Sequence, residues 1–405
     1  MKSAATVILL LFFISACGQP SDFQSLLDSG KAEFTKEFDQ QDYSRAADYL
    51  EKAVNLNPNY AEVHYFLGYA YSRINSKDGK SMINMSLPLT IKTSEQFEMV
   101  NKLSPLYTGE MVILDPYSKL TAEWGSLAMS YWHNNLIDSA VWAFQEGKKR
   151  GAFGEYILSL NRKVLDACSQ NAMLISSGDN FTIPLWYLQI VEGYRRDVSV
   201  VDISLLNTAW YPSHLVKANV ASFDLPSYML DTVEYCPWVD STITVASFTW
   251  TVKPSYAEGY ILRGDRLFLS LLKENNFRRD VYFTIGFAEE SRLSLTDHLI
   301  PLVVADKVND DNQINPSLQE YERVVEDVLS LVPLINKNSR EELRMLNNFR
   351  YGILGKISEC KSNDDILSAK QLLSLLDKYA NEADFPFEDD DVKSYINNLR
   401  QELRK

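Results

Sequence analysis

The 405-residue sequence has only four histidines, His64, His133, His214 and His298, and no two stand at metal-ligand spacing. It has no Gly-x-Ser-x-Gly elbow, no phosphate-binding loop and no Cys-x-x-Cys pair, so those routes to nucleophilic, phosphoryl or thiol chemistry are closed and no cofactor is expected. Beyond Cys17 the cysteines are Cys168, Cys236 and Cys360, far apart, which allows one disulfide at most and reads as small buried hydrophobes. Basic residues are in deficit, 40 Lys and Arg against 54 Asp and Glu, for a net charge of -14. Without clustered Lys and Arg to neutralise phosphates, nucleic acid is excluded as a partner. After the first residues no apolar run approaches the length that spans a bilayer. What remains is a chain of ordinary hydrophobic content, 46%, long enough for two or three domains.

Met1-Lys2 followed by Val7 to Ile14 (VILLLFFI) has the form of an export signal, a short positive start and an apolar stretch too short to cross a membrane. It ends in Ile14-Ser15-Ala16-Cys17, which resembles the lipobox of bacterial lipoproteins. The resemblance implies removal of residues 1–16, acylation of Cys17 and a tether over 17–24, with acyl chains that supply stable membrane attachment. The Ser-Asp-Phe that follows at Ser21 to Phe23 is similar to surface-export signals of the Bacteroidota, which implies a place in the cell envelope at the outer membrane.

Residues 25–160 read as a helical array. "YSRAADYLEKAVNLNPNYAEVHYFLGYAYSR" (Tyr43 to Arg73) places Ala46, Leu50, Ala53, Leu67, Gly68 and Tyr71 where crossing helices need small and filling side chains, and Asn57-Pro58 ends a helix. The pattern resembles the tetratricopeptide repeat. A second match puts Trp124, Leu127, Ala128, Tyr131, Ala140 and Phe144 at like offsets, with Gly147 in place of a small Ala. Between them Ser76 to Asp115 breaks the register, with one helix expected near Ser94 to Leu103. His64 and His133 fall inside helices and are expected to pack. Such arrays offer a concave face for protein partners, or pack on the next domain.

From Ala172 the period changes. Apolar "AMLIS", then Ser177-Gly178-Asp179-Asn180, a helix with Pro184 in its first turn, and "VSVVDISLL" make a strand–helix–strand unit. "YILRGD", "RLFLSLLKENN" and "RRDVYFTIGF" repeat that order, and both units enter the second strand through Arg-Arg-Asp-Val. If the strands are parallel, Asp179, Asn180, Asp265, Asn207, Trp210 and Glu289-Glu290 gather at their carboxyl edge, where open α/β sheets bind ligands, and Arg195, Arg196, Arg278 and Arg279 lie at the other edge. Carboxylates, amides and an aromatic on one rim suit a sugar or polyol. The plainer role for Asp179 or Asn180 is to cap the following helix. "TITVASFTWTV" (Thr242 to Val252) alternates as a strand.

The stretch "GDNFTIPLWYLQIVEGYRRDVSVVDISLLNTAWY" resembles the soluble C-terminal region of the protein O-mannosyltransferase-like membrane proteins of the DUF2723 family, over about residues 168–310. Phe181 and Ile183 depart from that family's pattern, which has Asp and Phe there. The transferase chemistry of that family is expected in its membrane-embedded part. The resemblance therefore implies a module that recognises a ligand or a partner surface, not a carried-over activity.

After Pro316 apolar residues return at spacings of three and four, so 316–405 reads as a helical region, with the acidic run Glu388 to Asp391 as a solvated helix start. The expected fold class is α+β: a tetratricopeptide-like helical region, an α/β module over 168–310 with a mostly parallel sheet, and a helical C-terminal region. The expected function is a membrane-anchored scaffold binding protein or glycan. The alternative is a glycan-acting enzyme using Asp179 and Asp265 as its acids.

Overall fold

The computed structural model describes residues 22–257, 259–309, 316–387 and 389–403; the leader, Cys17 and most of the tether lie outside them. The chain opens with α1 (Asp22–Ala32), α2 (Tyr43–Leu56), α3 (Ala61–Asn75), α4 (Leu87–Leu103), α5 (Pro116–His133), α6 (Ile137–Lys149) and α7 (Glu155–Ala167). From α1 to α6 each helix packs on the next, the serial stacking of a repeat array. Gly147 departs from the repeat pattern for a steric reason: a Cβ there would stand 2.5 Å from Trp124 Cβ. The helix expected at 94–103 is longer and starts at Leu87, because Pro88 falls in its first turn, where no backbone N–H is needed. His64 is buried, its ring nitrogens bonded to Gln96 and the Pro58 carbonyl.

The middle of the chain contains β1 (Met173–Ser176), α8 (Thr182–Ile190), β2 (Ser199–Asp202), α9 (Trp210–Lys217), α10 (Ser227–Leu230), β3 (Cys236–Pro237), β4 (Ser241–Val245), β5 (Phe248–Val252), β6 (Tyr260–Ile261), α11 (Arg263–Asn275), β7 (Val281–Thr284), β8 (Leu299–Pro301) and β9 (Ala305–Val308). Five of the strands form one sheet in the order β2-β1-β7-β9-β8, parallel across β2, β1 and β7 and antiparallel beyond. The first strand–helix–strand unit is β1-α8-β2, as its sequence suggests. The second is not a copy of it: "YILRGD" supplies only the two residues of β6, which pair with β3 outside the main sheet, and Arg263 already begins α11. The stretch 242–252 is a hairpin rather than one strand, because Ala246 takes a left-handed backbone (φ 52) and turns the chain.

The Arg-Arg-Asp-Val echo has a structural explanation. Arg195 donates to the carbonyls of Leu165, Cys168 and Ser169, and Arg279 to those of Asn171 and Ala172. Asp197 accepts from the Asn171 N–H, and Asp280 from Ser169 Oγ and Lys307 Nζ. Two strands on either side of β1 thus clamp the same incoming segment at the amino edge of the sheet.

The C-terminal helices are α12 (Leu318–Leu329), α13 (Arg340–Ser362), α14 (Ile366–Tyr379) and α15 (Asp390–Leu403). Asp115, buried, joins them to the repeat. One of its oxygens caps α5 through the Ser118 N–H at 2.8 Å, and the other accepts from Ser339 Oγ and the Glu341 N–H at the start of α13. Among the described residues the cysteines are free, with Cys168 and Cys360 buried and Cys236 half-buried.

Candidate functional site

The carboxyl edge of β1, β2 and β7 does not face open solvent. Helices α3 and α5 cross it on one side and α13 on another, leaving a cavity of about 540 Å³, a size ordinary for small-molecule sites. Repeat and module pack tightly at Gly125 of α5, where a Cβ would meet Ile183 Cγ2 of α8 at 2.0 Å. Part of the helical array is therefore packed onto the chain's own α/β module.

The sheet contributes the floor. After β1, Gly178 takes a left-handed backbone (φ 84) and its carbonyl accepts from the N–H groups of Phe181 and Thr182. This sends Asp179 and Asn180 into the cavity. Neither caps α8: the N-cap is Phe181, which makes no side-chain cap bond. The expected capping role of Asp179 or Asn180 is thus replaced by the backbone turn at Gly178. Asp179 keeps contact with solvent through the cavity, and no hydrogen bond to its carboxylate appears among the described residues. Enclosure by protein raises its pKa, with Glu123 adding to the rise and Lys119 and Arg73 opposing it. Asn180 is buried; its Nδ2 points to Glu341 Oε2 at 3.5 Å and its Oδ1 has no partner. At the end of β2, Asp202 accepts from Thr182 Oγ1 at 2.5 Å and from the Leu205 N–H at 2.8 Å. Burial pushes its carboxyl up to about 6 against those bonds, and Asp179 adds to the rise.

The helices contribute the other wall. Tyr69, Ser72 and Arg73 of α3 with Ser76 at its C-cap, and Lys119, Ala122, Glu123 and Ser126 of α5, recur at offsets of three, four and seven, so each set lies on one helical face and lines the cavity. Lys119 and Glu123 form a buried ion pair at 2.6 Å, Ser72 Oγ donates to Glu123 Oε1, and Glu123 Oε2 has no partner. Lys119 also lies 4.9 Å from the centre of the Tyr69 ring. Arg73 donates to the Lys77 carbonyl at 2.8 Å.

The rim read from the sequence is only partly assembled. Asp179 and Asn180 line the cavity. Trp210 reaches its margin, donating from Nε1 to the carbonyl of Gly79, itself a lining residue. Asn207 is spent on structure: its Oδ1 accepts the Gly264 N–H in the first turn of α11. Asp265 is buried in that same turn, accepts from Ser255 Oγ and does not line the cavity. The 3-10 turn at Glu289-Glu290 is also apart from it. Arg73, Lys119, Glu123 and Asp202 were not singled out from the sequence. The signal for three of them was present as charged side chains at helical spacing on repeat faces that should pack.

A family model described as TPR repeat matches residues 36–75, and one described as TMEM260-associated domain 2 matches residues 158–249. The helical array is thus tetratricopeptide-like. No curated protein and no solved structure matches the chain. The first matched stretch includes Tyr69, Ser72 and Arg73, and the second includes Asp179, Asn180 and Asp202, so the cavity lies where the two meet.

Proposed function

We propose that the protein is an exported lipoprotein, attached through acylated Cys17 to a membrane of the cell envelope, at the outer membrane, and that it acts as a protein-binding scaffold through its helical repeat. The observation that supports the scaffold part of this reading is the repeat over residues 36–75. Its α2 is the second helix of the array, and Phe38, Leu56 and Tyr60 around it are exposed. Apolar side chains on a repeat surface are what a protein partner buries.

A glycan partner, and the resemblance of the module to the soluble part of the DUF2723 proteins, belong to the same reading, with Asp179, Asn180 and Trp210 as the rim and Asn207 and Asp265 behind it. The alternative of a glycan-acting enzyme is weaker. It needs two acids flanking one substrate, whereas Asp179 opens on the cavity and Asp265 is buried against Ser255.

The test is affinity purification of the lipidated protein from its native membrane, beside a variant with Phe38, Leu56 and Tyr60 each changed to Ser. A protein that co-purifies with the wild type and is lost from the variant supports the reading; equal recovery, or none with either, overturns it. Cys17→Ala should move the protein out of the membrane fraction, because the acyl chains supply its affinity. Unchanged partition with normal processing refutes the anchor.

A further inference from the structure

The side chains that line the cavity carry more negative than positive charge. Asp179, Glu123 and Asp202 stand against Lys119 and Arg73. The other charged lining residues do not alter that balance in favour of cations. Arg344 is paired with Glu341, and Asp78 accepts the N–H groups of Lys80 and Ser81. Lys119 is committed to Glu123. Glu123 is only 4% exposed and its Oε2 lacks a donor; Asn180 is 8% exposed and its Oδ1 lacks one too. Buried oxygens without partners are uncommon, and each calls for a reason. The Asp179 carboxylate lines the same cavity, is open to solvent and has no hydrogen bond among the described residues.

We propose that this cavity is a binding site for a small organic cation carrying a primary ammonium group, with Asp179 as its counter-ion and the Glu123 carboxylate behind it adding to the negative field. An ammonium has three N–H donors and no acceptor, which matches a carboxylate counter-ion. It also neutralises the surplus negative charge, which a neutral polyol cannot do. An anionic ligand meets three carboxylates. A metal ion is not favoured, since no cluster of three His, Cys, Asp or Glu side chains suited to one occurs among the described residues. Part of the wall is apolar, with Met82, Ile183 and Met345, and accepts an aliphatic stem. The site is built by α3, α5 and the loop after β1 together, so it exists only while the repeat is docked on the module. It is independent of the scaffold reading and stands or falls separately.

The test uses the whole chain and a matched pair of probes, aminopentanol and pentanediol, which differ in ammonium against hydroxyl, with glucose as a neutral polyol. Calorimetric titration at low salt should show aminopentanol binding, with the diol and glucose weaker by about tenfold or more, the factor expected when a charge-assisted hydrogen bond is lost. Asp179→Asn should weaken the amine by a similar factor of about ten, and Glu123→Gln should weaken it as well. Binding of the diol or glucose as tight as that of the amine overturns the proposal, as does retention of amine affinity in Asp179→Asn, or no amine binding in the millimolar range. Should either variant fail to fold, the matched pair on the unmodified protein still decides.

Discussion

Arg263 is the side chain whose loss should be most destructive without touching the cavity. Its guanidinium donates from Nε to the Val233 carbonyl at 2.7 Å, from Nη1 to Leu206 and Thr208 at 2.5 and 2.6 Å, and from Nη2 to Leu230 at 2.6 Å. The residue is buried, burial lowers its pKa, and no ion pair to it occurs among the described residues. One planar fork thus holds the segments after β2 and after α10 onto the start of α11. Arg263→Met keeps most of the stem and leaves four carbonyls of buried residues without donors. At about 1 kcal/mol for each orphaned group, the low end of the usual range, the loss is about 4 kcal/mol. With a urea m-value of roughly 3 kcal/mol/M, the unfolding midpoint should fall by about 1 M. Tryptophan fluorescence across a urea series reads this directly. Arg263→Lys should recover only part of the loss, because an ammonium has one centre and three donors where the fork makes four bonds. A midpoint shift under about 0.3 M for Arg263→Met contradicts the reasoning, since that equals only about one weak hydrogen bond.

Asp115→Ala should cost about 2 kcal/mol or more, because one buried carboxylate caps both α5 and α13 and a single cap is worth about 1 kcal/mol; chemical denaturation checks it, and a loss no larger than that of one cap argues against the double role. Asp202 gives a pH prediction of definite sign. Its carboxyl is raised to about 6 in the folded protein, so its contribution to stability is fully present below its ordinary value near 4 and is lost as pH rises through 6. Asp202→Asn removes that loss and should gain on the wild type by on the order of 2 kcal/mol between about pH 4.5 and 7. Urea midpoints measured across that window check it; parallel curves for the two proteins contradict it.

The sequence disclosed those features that rest on local patterns. Helical spacing and small residues such as Ala46 and Gly68 exposed the repeat, and the apolar run at Met173 to Ser176 exposed the first strand of a parallel sheet. The cavity was half legible. Asp179 and Asn180 stand at a strand end, where ligands bind, and they do line it. Lys119, Glu123 and Arg73 were not legible as site residues because their role depends on which face of the repeat meets the module, a long-range contact with no local signature. Asp265 shows the converse. The echo of Gly178-Asp179 in Gly264-Asp265 is real in letters, but Gly178 turns out of a strand with a left-handed backbone while Gly264 lies inside a helix against Asn207. The same dipeptide therefore aims its carboxylate into a cavity in one place and into the protein in the other.

The central claim is that Asp179 is a ligand group and not a helix cap, and Asp179→Asn tests it with two readouts on one sample. A cap is worth about 1 kcal/mol and Asn serves nearly as well as Asp, so Asp179→Ala is measured alongside. The account predicts that the melting temperature of both variants holds, since the carboxylate removed is open to solvent and makes no hydrogen bond among the described residues, while aminopentanol affinity falls in both. A lower melting temperature in Asp179→Ala, restored in Asp179→Asn, with affinity intact in both, contradicts it.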